Sequence, residues 1–365
     1  MNDIYFKFDK EKLIAFSIDM LSSMIMPKTN LFCCEKNISG DFQEESTAKS
    51  IRYSIMSLLG LSRAFQEGYS IPFDLDRYYH ILLDYEQDMS IGDSGLFLWL
   101  DDRLGGSNGR RFFDRLQSKL DTAALDSINN MELSWLIVGL TYYNASNNND
   151  GIELTKNIFD YFLKNRSAGS GLFYHSGRGL RRNFPNFANI IYPIHALSIR
   201  ATVTGDSYAG ERAVQAMECL KRLQRDNGGW PWLYNAERGS VVEPFEIYSV
   251  HQDAMAPMGF FKLQEATGYN TEDIILKGYK WLFGENELKE CMIDESKELI
   301  YRSIRRKYPY NKVKLYSQTI LNLIGLNIQQ DESVSFLEVN RTCRPYHAGW
   351  ILEAWCSRAG LNGKR

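Results

Sequence analysis

The chain has 365 residues, 44% of them apolar and 24% charged, enough to build the core of one large domain or two small ones. A net charge of -3 and a pI near 6.0 provide no positive field to gather nucleic acid or an anionic membrane. The six cysteines, Cys33, Cys34, Cys219, Cys291, Cys343 and Cys356, form no C-x-x-C pair, so reduced thiols are expected rather than disulfides or zinc ligands, and no metal or other cofactor is expected.

An amphipathic helix is expected over residues 10–26. Asp9, Glu11 and Asp19 interrupt its apolar run, so stable membrane insertion is not expected and a cytoplasmic location is. A polar connection follows at 33–45. The helix expected at 46–67 is apolar on more than one face, as suits a helix sandwiched between others. Further helices are expected at 74–88, 109–120, 131–145, 151–165 and 187–204, and from Tyr208 to Gln224. Two turns are expected between them, at Gly92-Asp93-Ser94-Gly95-Leu96-Phe97 and Gly169-Ser170-Gly171-Leu172-Phe173.

Residues 224–259 gather more chemistry than any other stretch. Asn227-Gly228-Gly229 ends the preceding helix, and Trp230 and Trp232 alternate around Pro231 in extended chain. A second helix is expected to open near Pro244, with Glu243 and Glu246 in its first turn and Tyr248, His251 and Met255 on one face. Pro257 would leave the Asp253 carbonyl without its helical donor. Helices are then expected at 271–284, 312–327 and 346–358, with an alternating extended segment from Leu299 to Arg306.

Gln224-x-x-Asn227-Gly228-Gly229-Trp230 resembles the Q-x-x-D-G-G-W repeat of the α/α-toroid superfamily, which includes squalene-cyclase-like and prenyltransferase-like chains. The same stretch is similar to the toroid domain of glucuronyl C5-epimerases, and its general plan to toroidal polysaccharide lyases and glycoside hydrolases. Two echoes accompany it. A glycine turn recurs at 40, 95, 171 and 229, and a tyrosine opens apolar helices at Tyr53, Tyr192, Tyr248, Tyr316 and Tyr346. The expectation is an all-α chain, residues 1–365 forming one α/α toroid of helical hairpins with the tyrosine-started helices inside, and an open α-solenoid as the alternative.

In such a toroid the rim where residues 229–251 meet 301–308 and the last helix would hold the site. Tyr248 and His251 are candidates for a proton-transfer pair, with Glu246 and Asp253 beside them; the competing reading of His251 is a buried histidine bonded to backbone. Trp230, Trp232 and Tyr234 are candidate sugar platforms or a packing cluster. Glu243 joins them as a substrate-binding candidate, as do Arg302, Arg306, Arg344, Tyr346 and His347, the arginines clamping an anion or forming a solvated edge. No Asp-x-Asp-Asp acid, prenyltransferase zinc set or nucleotide-binding glycine motif is evident. The leading expectation is a lyase or C5-epimerase acting on a uronic-acid-containing glycan in polysaccharide biosynthesis. The alternatives are a toroidal glycoside hydrolase drawing on Glu243, Glu246, Asp253, Asp101 and Asp102, a terpenoid-cyclase-like enzyme, and a non-catalytic glycan binder or scaffold.

Overall fold

The computed structural model describes residues 9–43, 47–122, 124–307 and 334–358, together with positions 317 and 321. Its helices are α1 (Lys10–Ser22), α2 (Thr47–Gln66), α3 (Leu75–Asp84), α4 (Ile91–Leu104), α5 (Gly109–Thr122), α6 (Asn130–Ser146), α7 (Ile152–Arg166), α8 (Ala188–Thr204), α9 (Ser207–Lys221), α10 (Ala256–Thr267), α11 (Glu272–Leu282) and α12 (Pro345–Trp355). The even-numbered helices form an inner ring in chain order, closed where α12 packs against α2 and α10. Outside it, α1 packs on α12, α3 on α2, α5 on α4, α7 on α6 and α9 on α8, while α11 packs against the start of α10. This is an α/α toroid.

Composition sorts the two rings. The outer helix α5 is charged except along the stripe of Phe112, Phe113 and Leu116, which it buries against α4. The inner helix α6 is apolar almost all round, because it touches inner neighbours on both flanks and an outer helix behind. Inner helices also approach one another through glycine. A Cβ on Gly139 of α6 would lie 2.0 Å from the Gly95 carbonyl oxygen of α4, and one on Gly60 of α2 would lie 2.0 Å from the Gly349 oxygen of α12.

Those contacts correct the turn expected at 92–97, which is the start of α4. Ser90 and Asp93 form a reciprocal capping box there, and Gly92 and Gly95 are needed for the approach of α6 rather than for chain reversal.

The helix expected to open near Pro244 is also corrected. Residues before it form strands β3 (Leu233–Asn235) and β4 (Ser240–Glu243), which pair, and β5 (Ile247–Tyr248) pairs with a later strand. Helical structure begins only at Ser249 and passes through a π-helical turn, His251–Met255, into α10. Glu243 is spent on Arg306 and the Phe245 amide rather than on a helix dipole.

Small strands finish the rim. β1 (Glu35–Asn37) and β2 (Phe42–Gln43) lie within the connection expected to be polar, β6 (Ile293–Asp294) pairs with β7 (Leu299–Ile300), and β8 (Ser303–Arg306) lies between β5 and β9 (Leu337–Asn340). β10 (Thr342–Cys343) pairs with β1 and leads into α12. The helix expected at 312–327, with Tyr316, falls outside the described residues except for positions 317 and 321, which are helical.

The Asn-Gly-Gly turn has a packing reason. Gly228 has φ +91, a Cβ there would lie 2.1 Å from the Lys277 oxygen on α11, and Gln224 Nε2 donates to the Gly228 and Ile274 oxygens. Glutamine and glycine together dock the turn on α11.

The glycine contacts give a direct stability test. Gly139→Ala should destabilise the protein by about 1–3 kcal/mol in urea unfolding, as overpacking a rigid helix crossing does. Gly169→Ala, where no atom lies within 4 Å, should stay within about 0.5 kcal/mol.

Candidate active site

The N-terminal ends of the inner helices, together with the strands at that rim, enclose a cavity of about 200 Å³. Helix α2 contributes Arg52, Tyr53 and Met56, and the first turns of α6 contribute Met131 and Trp135. Asn186 and Tyr192 come from the start of α8 and the chain leading to it, and Arg344 and Tyr346 from the start of α12. The remaining wall holds Trp232, Tyr248, His251, Met255 and Arg302.

Backbone pairing sets these side chains in place. Trp232 is bracketed by its amide donating to the Pro244 oxygen and its own oxygen accepting from the Phe187 amide. Tyr248 pairs with Ser303 across β5 and β8, and Arg302 is held by the Asn340 oxygen at 3.0 Å and the Ser249 amide at 2.9 Å.

The charges follow one pattern: donors face the cavity, and a carboxylate holds each from behind. Arg52 donates to Asp93 at 2.6 Å and Glu132 at 2.8 Å. Arg302 and Arg344 share Glu35 Oε2, at 2.8 and 3.3 Å, and Arg344 also donates to the Tyr53 hydroxyl at 2.7 Å. Tyr248 donates to Glu246 Oε2 at 2.9 Å, while Ser303 and Asn340 donate to the other Glu246 oxygen. None of these carboxylates lines the cavity.

His251 stands among aromatic rings in the wall. It is sandwiched between Phe187, with ring centroids 4.5 Å apart, and Trp232, nearly parallel at 6.4 Å, and Tyr248 lies 5.1 Å away. Among the described residues its Nδ1 is buried without a hydrogen-bond partner. Burial, with a contribution from nearby His347, pushes its pKa down to about 3, so the imidazole is neutral at physiological pH. Burial, aided by Glu246, raises the Tyr248 phenol, which stays protonated. A neutral base and a neutral acid thus stand side by side.

Of the residues singled out from sequence, the structure brings Trp232, Tyr248, His251, Arg302, Arg344 and Tyr346 together at the cavity. The others lie elsewhere. Trp230 and Tyr234 are fully buried, Trp230 against Phe187 and Phe260. Glu243 and Arg306 pair with each other at 3.2 Å, so Arg302 and Arg306 do not share an anion site. Glu246 sits behind Tyr248, and Asp253 and His347 bond each other behind His251. Asp101 and Asp102 line a separate cavity at the C-terminal end of α4, where Asp101 accepts from Tyr79. Among the described residues no group of three or more His, Cys, Asp or Glu could hold a metal ion.

Arg52, Met56, Met131, Trp135 and Asn186 escaped the sequence reading of the site. Tyr53 and Tyr192 were recognised only as helix starts. The available signal was Arg52, a guanidinium near the start of α2, one position before a tyrosine of the repeat.

No known family matches the chain by sequence, and no curated protein matches it. Solved structures do match its fold. A sugar epimerase from a ruminal bacterium superimposes with a TM-score of 0.66 at 10% identity, covering 96% of this chain and 99% of that one. Cellobiose 2-epimerase from Bacillus thermoamylovorans B4167 gives 0.63 at 10% identity, covering 96% and 100%. The α-1,6-mannanase GH76A of Salegentibacter sp. HEL1_6, an inactive variant in complex with α-1,6-mannotriose, gives 0.60 at 9% identity, covering 97% and 100%. At such identities the likeness establishes the α/α-toroid fold, which carbohydrate-active enzymes of differing chemistry share.

The two tryptophans should separate experimentally. Trp230→Ala should cost about 3–5 kcal/mol of stability, the usual price of a large core truncation. Trp232→Ala should cost far less in thermal melts and instead weaken sugar binding measured by calorimetry.

Stability should also track the two histidines. Burial alone would lower the His347 pKa, but the Asp253 carboxylate outweighs it and raises the group from 6.5 to about 9. The stability it contributes is therefore complete below pH 6.5 and is lost as pH rises through about 9. His251 has the opposite sign, its contribution being present above pH 6.5 and lost as pH falls toward about 3. Urea titrations should place the optimum near pH 6.5, and His347→Gln should flatten the alkaline decline.

Proposed function

We propose that the protein is a carbohydrate-active enzyme that removes a proton from the carbon beside the carboxylate of a uronic-acid sugar, as a lyase or C5-epimerase. The observation that carries this reading is the cavity wall: three guanidiniums, one neutral imidazole, and no carboxylate among its described residues. Hydrolysis of a glycosidic bond calls for two carboxylates flanking the sugar. Here Glu35, Asp93, Glu132 and Glu246 are engaged behind the wall.

The roles follow from charge and protonation. Arg302 and Arg344 bind the carboxylate and spread the negative charge that develops when the neighbouring C–H bond breaks. His251 takes the proton from C5. In elimination, the C4–O bond then breaks, a C4–C5 double bond forms, and Tyr248 gives its proton to the departing oxygen. In epimerisation, C5 is instead reprotonated on its other face by a proton from solvent water, and His251 returns its own proton to solvent. A cavity of about 200 Å³ lies below the usual range of drug-sized pockets, which suits one sugar ring at a chain end rather than a threaded polymer.

Incubation in D₂O with oligosaccharides whose glucuronate is glycosylated at O4 tests the reading. Deuterium at C5, or the ultraviolet absorbance of a new C4–C5 double bond, is the expected result. His251→Asn and Tyr248→Phe should each lower the rate by about 10²–10⁴-fold while remaining folded. New reducing ends with neither signal would establish hydrolysis instead.

A further inference from the structure

Asp253 and His347 are buried ionisable groups that no step of this chemistry employs, and their geometry gives them another role. His347 Nε2 and Asp253 Oδ1 lie 2.7 Å apart, and their side chains are 4% and 0% exposed. Neither lines the cavity. Asp253 sits in the middle of the π-helical turn, and the residues two before and two after it, His251 and Met255, both do line it. The carboxylate thus points away from the cavity while its neighbours point in. On the other side, His347 follows Tyr346 and Arg344, two more cavity residues, in the first turn of α12.

A second bond joins the same two segments. The Asp253 carbonyl, deprived of its helical donor by Pro257, accepts from Trp355 Nε1 at 2.7 Å. Both the side chain and the main chain of Asp253 are therefore bound to α12. Stability alone does not call for such a pair, because buried ion pairs can often be replaced by apolar side chains at no loss. Its second oxygen, Oδ2, has no hydrogen-bond partner among the described residues, so the arrangement is not saturated as a stabilising network would be. The π-helical turn is a rare form that recurs at functional sites, and here it carries the one imidazole of the cavity.

We propose that Asp253 and His347 are a positioning pair, clamping the π-helical turn to α12 so that His251 is held at a fixed place opposite the Arg344 and Tyr346 wall. The role rests on His251 acting as the base, but the clamp itself is readable without turnover. It binds no substrate and moves no proton of the reaction. Its effect is on where the imidazole stands.

The test compares His347→Gln, Asp253→Asn and Trp355→Phe with wild type, using a disaccharide whose glucuronate is glycosylated at O4 as substrate and the ring resonances of ¹³C-labelled histidine as the structural readout. In His347→Gln and Asp253→Asn, kcat should fall about 10- to 100-fold with KM changed by less than about threefold, the pattern of a misplaced catalytic group. The His251 resonance should shift or broaden while that of His175 stays in place. If those variants fail to fold, Trp355→Phe, which deletes one hydrogen bond from the clamp, should show the same signature at smaller amplitude. An unchanged kcat and an unmoved His251 resonance in a folded variant would overturn the proposal. Run alongside, His251→Asn separates the two ideas: full turnover in it removes the base reading, whereas its loss with unaffected clamp variants removes the clamp alone.

Discussion

Three arginines can stand at one end of a largely apolar ring of helices only because each is neutralised from the side away from the cavity. A guanidinium taken out of water without a partner is prohibitively costly, and the partner's position decides which way the guanidinium faces. Asp93 on α4 and Glu132 on α6 hold Arg52 of α2, so one ionic cluster spans three consecutive inner helices. Glu35 on β1 holds Arg302 and Arg344, tying the rim strands to the start of α12. The same bonds that fix the cavity's donors also join the first and last segments of the described ring. Site and closure are one electrostatic problem with one solution.

Packing determines how much room that solution leaves. The Gly95–Gly139 and Gly60–Gly349 contacts bring inner helices to within backbone touching distance, drawing the ring narrow along α4/α6 and α2/α12. Trp99 then fills the interior, stacked near Trp350 and Tyr142, and Trp350 donates to the Tyr192 hydroxyl. Apart from the cavity at the C-terminal end of α4, a cavity remains at the helix N-termini. There the floor is built from Met56, Met131, Met255 and Trp135, and the polar groups stand at its walls.

Much of this organisation is legible in the sequence because it rests on local patterns. Apolar spacing places most of the helices to within a few residues, and the recurrent tyrosines mark real structure: Tyr53, Tyr192, Tyr248 and Tyr346 all reach the same cavity. Even the stranded Asp253 carbonyl follows from Pro257 alone. What is not legible depends on distant partners. Gly92 and Gly95 read as turn residues because their reason is α6, some forty positions away. Glu243 and Glu246 read as a helix start because their real partners, Arg306 and Ser303, come sixty residues later and hold the segment as strands. Arg52 was invisible as a site residue for the same reason, since only folding brings it opposite Arg302.

A shared toroid does not share a reaction, because chemistry resides in the groups a fold turns inward. Carboxylates turned toward a sugar make acid and nucleophile. In this chain the carboxylates are turned outward, where they orient arginines and a phenol, and the inward face is left with donors and one unprotonated imidazole. Such a wall attracts negative charge. That arrangement recurs around the described cavity: Asp93 and Glu132 hold Arg52, Glu35 holds Arg302 and Arg344, and Glu246 holds Tyr248.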